Sequence, residues 1–370
     1  MTREELCSRI EEALSAMAFE GDYVSHEKYG SGHINDTFLA VYKKDGKQIR
    51  YILQRMNHLI FKKPEELMEN IVGVTSFLKE VILSNHGDVN RETLNVIKTK
   101  DGKNFFVDSI GSYWRAYLFV EDTFSLDKVE KPEHFYQSAV SFGRFQSLLS
   151  GYNADLLHET IPNFHNTPNR FEIFKEAIKK DVKGRVKEVE KEIRFCTERE
   201  QDMKTCVQLL KKGELPLRVT HNDTKLNNIL IDKKTGAGIC VIDLDTVMPG
   251  LSINDFGDSI RFGANTAEED ERDLSKVSID LSLFELYTKG FLEGCNGKLT
   301  KKEIELLPMG AKIMTLECGM RFLTDYLEGD TYFNIHREKH NLDRCRCQFA
   351  LVLDMENKWE EMNRIVARYM

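Results

Sequence analysis

No apolar run in this chain is long enough to span a bilayer, although 41% of its 370 residues are hydrophobic, so the apolar side chains are free to build a water-soluble core. The opening segment MTREELCSRIEEAL is acidic and amphipathic and lacks a secretory h-region, which sets the expectation of a cytoplasmic protein. Metal-site spacing is missing as well. Eight cysteines are scattered except for Cys345 and Cys347, whose one-residue gap is not the C-x(2)-C of zinc sites. His336 and His340 come without a glutamate in H-E-x-x-H order. Both pairs therefore read as structural or surface residues, with the thiols reduced in the cytosol. Basic excess is absent too: a net charge of −8 excludes the electrostatic footprint that nucleic acid requires. There is no internal repeat and no low-complexity linker, and the length suits two or three domains or two lobes. No membrane or obligate protein partner is expected.

What is present is concentrated between Thr220 and Asp245, THNDTKLNNILIDKKTGAGICVIDLD. His221, Asp223 and Asn228 fit H-x-D-x(4)-N, and the apolar run Ile239 to Ile242 ends on Asp243, twenty residues after Asp223. This is the order of parts in a magnesium-dependent phosphoryl-transfer site. Such chemistry asks the protein to position a hydroxyl, hold Mg²⁺ on phosphates and spread negative charge. Asp223 is suited to accept the hydroxyl's proton. Magnesium takes hard oxygens and only one or two from protein, which the Asn228 amide and the Asp243 carboxylate supply. Lys225 offers a point charge to the transferring group. Asp255-Phe256-Gly257 spells a kinase metal triplet but lies 32 residues past Asp223 with no strand-like run before it. The metal is therefore assigned to Asp243, and Asp255 either caps the helix beginning near Phe256 or orders the catalytic loop from below.

HNDTKLNNILID, VIDLDTVMPG and NDFGDSIRFG resemble the aminoglycoside phosphotransferase branch of the protein-kinase-like fold, and most closely the bacterial N-acetylhexosamine 1-kinases. The likeness extends through GSGHINDTF (Gly30–Phe38), YILQRMN (Tyr51–Asn57), FHNTPNRF (Phe164–Phe171) and ECGMRFLTDYLEGDTYF (Glu317–Phe333). Two departures set the chain apart from protein kinases. Asn222 replaces the arginine that pairs with a phosphorylated activation loop, and the interval from Asp243 to Asp255 has no room for such a loop. The resemblance implies an α+β, bilobal fold, with a small β-rich N-lobe carrying one helix (residues 1–120) and a larger helical C-lobe (121–370). It also implies ATP and Mg²⁺ as cofactors and a small sugar acceptor.

Local patterns agree with that division. Strand-like runs occur at Tyr23–Tyr29, Thr37–Tyr42, Gln48–Leu53, Leu94–Lys98 and Tyr113–Val120, interrupted by one helix over Glu65–Leu83 with Pro64 at its start. From Pro132 on, helical spacing dominates: Phe135–Leu149, Phe171–Lys180, the charged stretch Arg185–Lys212, Leu281–Phe291, Lys301–Tyr326 and Arg344–Tyr369. Thr300 to Glu303 forms a capping-box pattern. The charged stretch reads as a solvated face.

On the nucleotide side, Gly30, Ser31 and Gly32 lie between two strand candidates, where glycine lets backbone N–H groups approach phosphates. The lysine that the resemblance places on the third strand is missing. Gln54 and Arg55 occupy that stretch, and alternation sends their side chains to opposite faces. Arg55 is favoured by charge and Gln54 by register, with Glu69 as candidate helix partner for the cation. Adenine is expected at Phe119–Asp122, including Glu121. On the acceptor side the resemblance implies sugar contacts from His33, Arg321 and Tyr332 beside Asp223. Read without it, Arg321 is a helix arginine paired with Glu317 or Asp325. Choline, homoserine or an aminoglycoside are the alternative acceptors, with Glu328 and Asp330 available to a cationic one. A catalytically inactive nucleotide-binding scaffold is the remaining alternative.

Overall fold

A computed structural model describes residues 3–30 and 34–370, so Ser31, Gly32 and His33 lie outside the described residues. The chain divides into two compact units, one of Met1–Phe124, Asp155–Ile161 and Leu230–Met248, the other of Ser125–Ala154, Pro162–Ile229 and Pro249–Met370. The segment carrying Asp243 thus packs with the N-terminal sheet.

In the N-terminal part of the first unit the elements are α1 (Arg3–Ala16), β1 (Asp22–Lys28), β2 (Asp36–Lys44), β3 (Lys47–Met56), α2 (Pro64–Ser84), α3 (Val89–Glu92), β4 (Val96–Ile97), β5 (Phe106–Val107), β6 (Tyr113–Leu118) and β7 (Thr123–Phe124). The sheet runs β1-β2-β3-β6-β4, antiparallel throughout, with β5 also on β6. Its β2–β3 hairpin closes on Asp45-Gly46, both at positive φ (52° and 79°), the pairing that a two-residue turn needs to match strand twist. Alternation then buries Phe38, Leu53, Trp114 and Ala116 against Ile10 and Ala13 of α1 and against Met17, which follows it. Helix α2 starts with proline in its first turn and buries Leu67, Ile71, Val74, Leu78 and Ile82 along one stripe. The expected Leu94–Lys98 strand shrinks to two residues.

The second unit is helical: α4 (Pro132–Leu148), α5 (Thr167–Lys180), α6 (Glu190–Glu198), α7 (Glu200–Lys211), α8 (Ser252–Gly263), α9 (Leu281–Cys295), α10 (Lys301–Glu305), α11 (Leu307–Glu328), α12 (His340–Asn357) and α13 (Trp359–Ala367). Three long sequence periods break where local chemistry interrupts them. The charged stretch splits at Arg199, and its two helices bury Cys196, Met203 and Cys206, so it is solvated on only part of its circumference. Lys301–Tyr326 splits at Leu306, because Pro308 fits the first turn of a new helix and not an interior. The last period splits at Lys358. The Thr300–Glu303 capping box is present with both of its hydrogen bonds. The core joins Phe171 and Phe174 of α5 to Leu316, Met320, Leu323 and Leu327 of α11 and to Phe349 and Val352 of α12. Helices α8 and α11 meet backbone to backbone, since a Cβ on Gly257 would lie 2.3 Å from the Gly310 oxygen and one on Gly310 2.3 Å from the Ile253 oxygen.

Candidate active site

In the second unit, strand Arg218–Thr220 delivers the loop His221–Asn228. Asn222 has φ 65°, a left-handed position that asparagine tolerates better than most residues. Asp255 holds this bend from below. Its carboxylate accepts the His221 N–H at 2.9 Å, the Asn222 N–H at 2.8 Å and the Gln146 Nε2 at 2.8 Å. Asp255 lies inside α8, which starts at Ser252, so it is not that helix's cap. Of the two roles expected for it, the geometry matches ordering of the catalytic loop. Burial pushes its carboxyl above the ordinary aspartate range, with the loop N–H groups acting the other way. Thr224 continues the anchoring, donating Oγ1 to the Asp255 carbonyl at 2.7 Å and its N–H to Asp258 at 3.1 Å.

Three residues of the motif come together on this loop. Lys225 Nζ lies 2.9 Å from Asp223 Oδ1. Burial disfavours the lysine's charge, but Asp223 and Asp258 outweigh it and keep the ammonium protonated. Asn228 donates Nδ2 to the Asp223 carbonyl at 2.8 Å, which fixes the amide orientation and leaves Oδ1 as its acceptor face.

Behind Asn222 lies a buried polar chain that single-residue reading missed. His165 Nε2 is 3.5 Å from the Asn222 carbonyl, and its Nδ1 is 2.9 Å from Glu317, which also accepts from Thr167 at 2.6 Å. One turn along α11, the Arg321 guanidinium faces the rings of Phe164, Tyr332 and Phe333 at 5.8, 5.9 and 5.5 Å. Asp325 shapes that wall by accepting the N–H groups of Thr331, Tyr332 and Phe333 at 2.8–3.0 Å. Arg170 stands nearby; burial, and then the charge of Arg321, lower its pKa. Asp330 is paired with Arg185 at 2.7 Å, so its charge is already neutralised.

The first unit gathers the other motif residues. Asp243 has φ 59° and is exposed, while Asp245 is buried in an ion pair with Arg115 and accepts Asn35 Nδ2 at 2.7 Å. Arg115 Nε also donates to Gln54 Oε1 at 3.0 Å, and Gln54 donates to Thr37 at 3.0 Å. Arg55 turns to the other face and pairs with Asp36. Glu69 pairs His158 at 2.6 Å and meets neither Gln54 nor Arg55, because its place on α2 points it toward the 155–161 segment. Glu121 pairs Arg50, which itself lies over the Phe119 ring. Gly30 has φ 77°. The signal for Arg115 was in the sequence: a lone arginine inside the apolar strand SYWRAYLF is buried only with a partner.

Among the described residues no group of three or more His, Cys, Asp or Glu is arranged to hold a metal. The Asn228 amide and the exposed Asp243 carboxylate each offer a hard oxygen of the type magnesium takes.

The chain was then compared with known proteins. The family model described as phosphotransferase enzyme family matches residues 25–277. A solved aminoglycoside phosphotransferase from Alicyclobacillus acidocaldarius is similar over 97% of this chain and 96% of its own, with 11% identity and a TM-score of 0.62. The GDP complex of aminoglycoside 2'-phosphotransferase-IIIa matches over 97% and 100%, at 10% identity and TM-score 0.59. A choline/ethanolamine kinase family protein from Mesorhizobium loti matches over 97% and 99%, at 14% and 0.55. At such identities the likeness establishes the α+β kinase-like fold and nothing narrower.

Proposed function

The chain belongs to the phosphotransferase enzyme family, and from that premise we propose that it is an ATP- and Mg²⁺-dependent kinase that phosphorylates the anomeric hydroxyl of an N-acetylhexosamine. The observation that carries the acceptor is the surroundings of Arg321. A cationic acceptor such as choline wants an acidic or aromatic cage. Here the aromatic rings already face a guanidinium, Arg170 adds a second positive charge, and Asp330 is committed to Arg185. Forked donors beside an aromatic wall suit a neutral polyol with an amide oxygen.

In this reading Asp223 takes the proton of the hydroxyl held within about 3 Å of it, in line with the γ-phosphate. Lys225 turns its charge to the transferring group. Asn228 and Asp243 would hold the metal, whose chemistry is to neutralise charge on the phosphate oxygens. His165 and Glu317 keep Asn222, and with it Asp223, at a fixed distance from Arg321.

The test is an acceptor panel with ATP and Mg²⁺, read by ADP release. Free N-acetylglucosamine or N-acetylgalactosamine should turn over and their methyl glycosides should not. Unacetylated hexosamines should be poorer, since a site built to pair the amide is left unsatisfied without it. Phosphorus NMR should find the product phosphate coupled to the anomeric proton. Preference for choline, homoserine or an aminoglycoside would overturn the acceptor while leaving the kinase. A chain that binds nucleotide and turns over nothing would be a scaffold.

A further inference from the structure

We propose that Arg115 is a positioning residue for Asp243: by clamping Asp245 it fixes the turn that aims the Asp243 carboxylate, a task the sheet carries out from β6 where β3 carries Gln54 in place of a lysine. The inference rests on the magnesium–nucleotide reading given above. Its ground is the register of the first unit. Gln54 and Arg115 are directly opposed on β3 and β6, so their side chains share one face of the sheet. Arg115 is therefore the cation at the position where the third strand offers only an amide. Yet it is 1% exposed, so it does not itself reach a phosphate. Its guanidinium is spent on Gln54 and on Asp245, which is 4% exposed.

Asp245 is held from two sides. Asn35 donates to it at 2.7 Å and is itself fixed by accepting the Asn57 N–H at 3.0 Å. Two residues upstream Asp243 sits at φ 59°, ψ 57°, a left-handed conformation that aspartate adopts more readily than most residues and that sets the direction in which its side chain leaves the backbone. A short helical turn, Leu244–Thr246, rigidly joins the two aspartates. A buried ion pair of this kind is weak support for stability, since apolar residues of similar volume serve as well. What apolar residues do not supply is a guanidinium that spans two partners, with Nε on Gln54 and a terminal nitrogen against the Asp245 carboxylate. That difference assigns the pair to geometry, as the partners behind a metal ligand commonly are.

The experiment titrates Mg²⁺ at fixed ATP and follows nucleotide binding by calorimetry, with metal-free ADP binding measured on the same protein. Because Arg115→Met alone strands a buried carboxylate, the main variant is Arg115→Met/Asp245→Asn, which removes both charges. We expect it to fold, to bind metal-free ADP within about twofold of wild type, and to need roughly 10–100-fold more Mg²⁺ for ATP binding. A merely structural pair would lower the melting temperature and leave the magnesium requirement unmoved; that result overturns the proposal. Should the double variant not fold, Arg115→Lys, which keeps the charge and loses the fork, is read on the same axes: a raised magnesium requirement supports the role and an unchanged one overturns it. If the wild-type protein binds no nucleotide in a magnesium-dependent way, the parent reading fails, and this one with it.

Discussion

Asp223 and Glu317 show how much depends on the company each carboxylate keeps. Asp223 is partly exposed, its carboxylate pairs Lys225 at 2.9 Å and accepts a longer bond from Asn228 at 3.4 Å, and its backbone carbonyl is held by Asn228. Asp223→Asn should therefore leave the loop in place, lower kcat by roughly 10²–10⁴-fold and leave nucleotide affinity nearly unchanged. Calorimetry and steady-state kinetics on one preparation check this, and a near wild-type kcat would remove Asp223 from the mechanism. Glu317 is buried, which works against its ionisation, but His165, Thr167 and Arg321 outweigh burial and hold its carboxyl below the ordinary value of 4.5. A depressed carboxylate stabilises the fold above its unfolded pKa, and that contribution is lost as pH falls through the folded one. Wild-type melting temperature should drop as pH passes below about 4.5, and Glu317→Gln should melt lower at neutral pH with a shallower acid limb. Parallel acid limbs in the two proteins would show that Glu317 is not a source of the acid sensitivity. The Asp243 assignment belongs to this scale too: the motif and spacing named it, but Asp245, two residues on, carries the buried pair, and only the register of β3 and β6 reveals its partner.

The elements were legible where one periodicity ran without interruption. β2 and α2 fall within a residue or two of their sequence bounds and β3 runs on from Leu53 to Met56, because alternation and a first-turn proline are local signals. The breaks at Arg199, Leu306 and Lys358 were not read, although at Leu306 Pro308 carried a local signal for a new first turn. Close helix approach is likewise invisible in one sequence: Gly257 and Gly310 read as weak helix positions until α8 and α11 are seen touching through them. By helix propensity alone Gly310→Ala should stabilise by about 1 kcal/mol. The Ile253 oxygen at 2.3 Å from the new Cβ reverses that sign. We expect a loss of about 1–3 kcal/mol, as in overpacked cores. Since α8 carries Asp255 and α11 carries Glu317 and Arg321, activity should fall with it. Denaturant unfolding of Gly310→Ala decides between the two signs, and a stabilised variant would mean that the helices part easily.

At the level of the whole chain, the residues proposed to carry function segregate by unit. Asp223, Lys225, Asn228, His165, Glu317, Arg321 and Tyr332 belong to the second, and Gly30, Gln54, Arg115 and Asp243 to the first. The sequence motifs pointed to phosphoryl transfer because two matches at a fixed separation are informative. The proposed acceptor wall was suggested only through resemblance, since an arginine ringed by aromatics from residues 164, 332 and 333 is a tertiary fact. If the proposed roles hold, each ligand should leave its own footprint, because a ligand that binds the folded state suppresses local opening in the segments it touches. With N-acetylglucosamine or N-acetylgalactosamine alone, hydrogen exchange should slow in Phe164–Arg170 and Arg321–Phe333, and stay unchanged in β2, β3 and β6. Mg²⁺–ADP alone should slow exchange in β2, β3 and the segment around Asp243. Arg321→Ala should erase the sugar footprint and keep the nucleotide one, and it should raise the sugar KM by an amount matching the roughly 1.5–3 kcal/mol of a charged hydrogen bond. Sugar protection confined to β2 and β3, or a sugar KM untouched by Arg321→Ala, would move the acceptor away from the α11 wall and undo the argument that excludes cationic substrates.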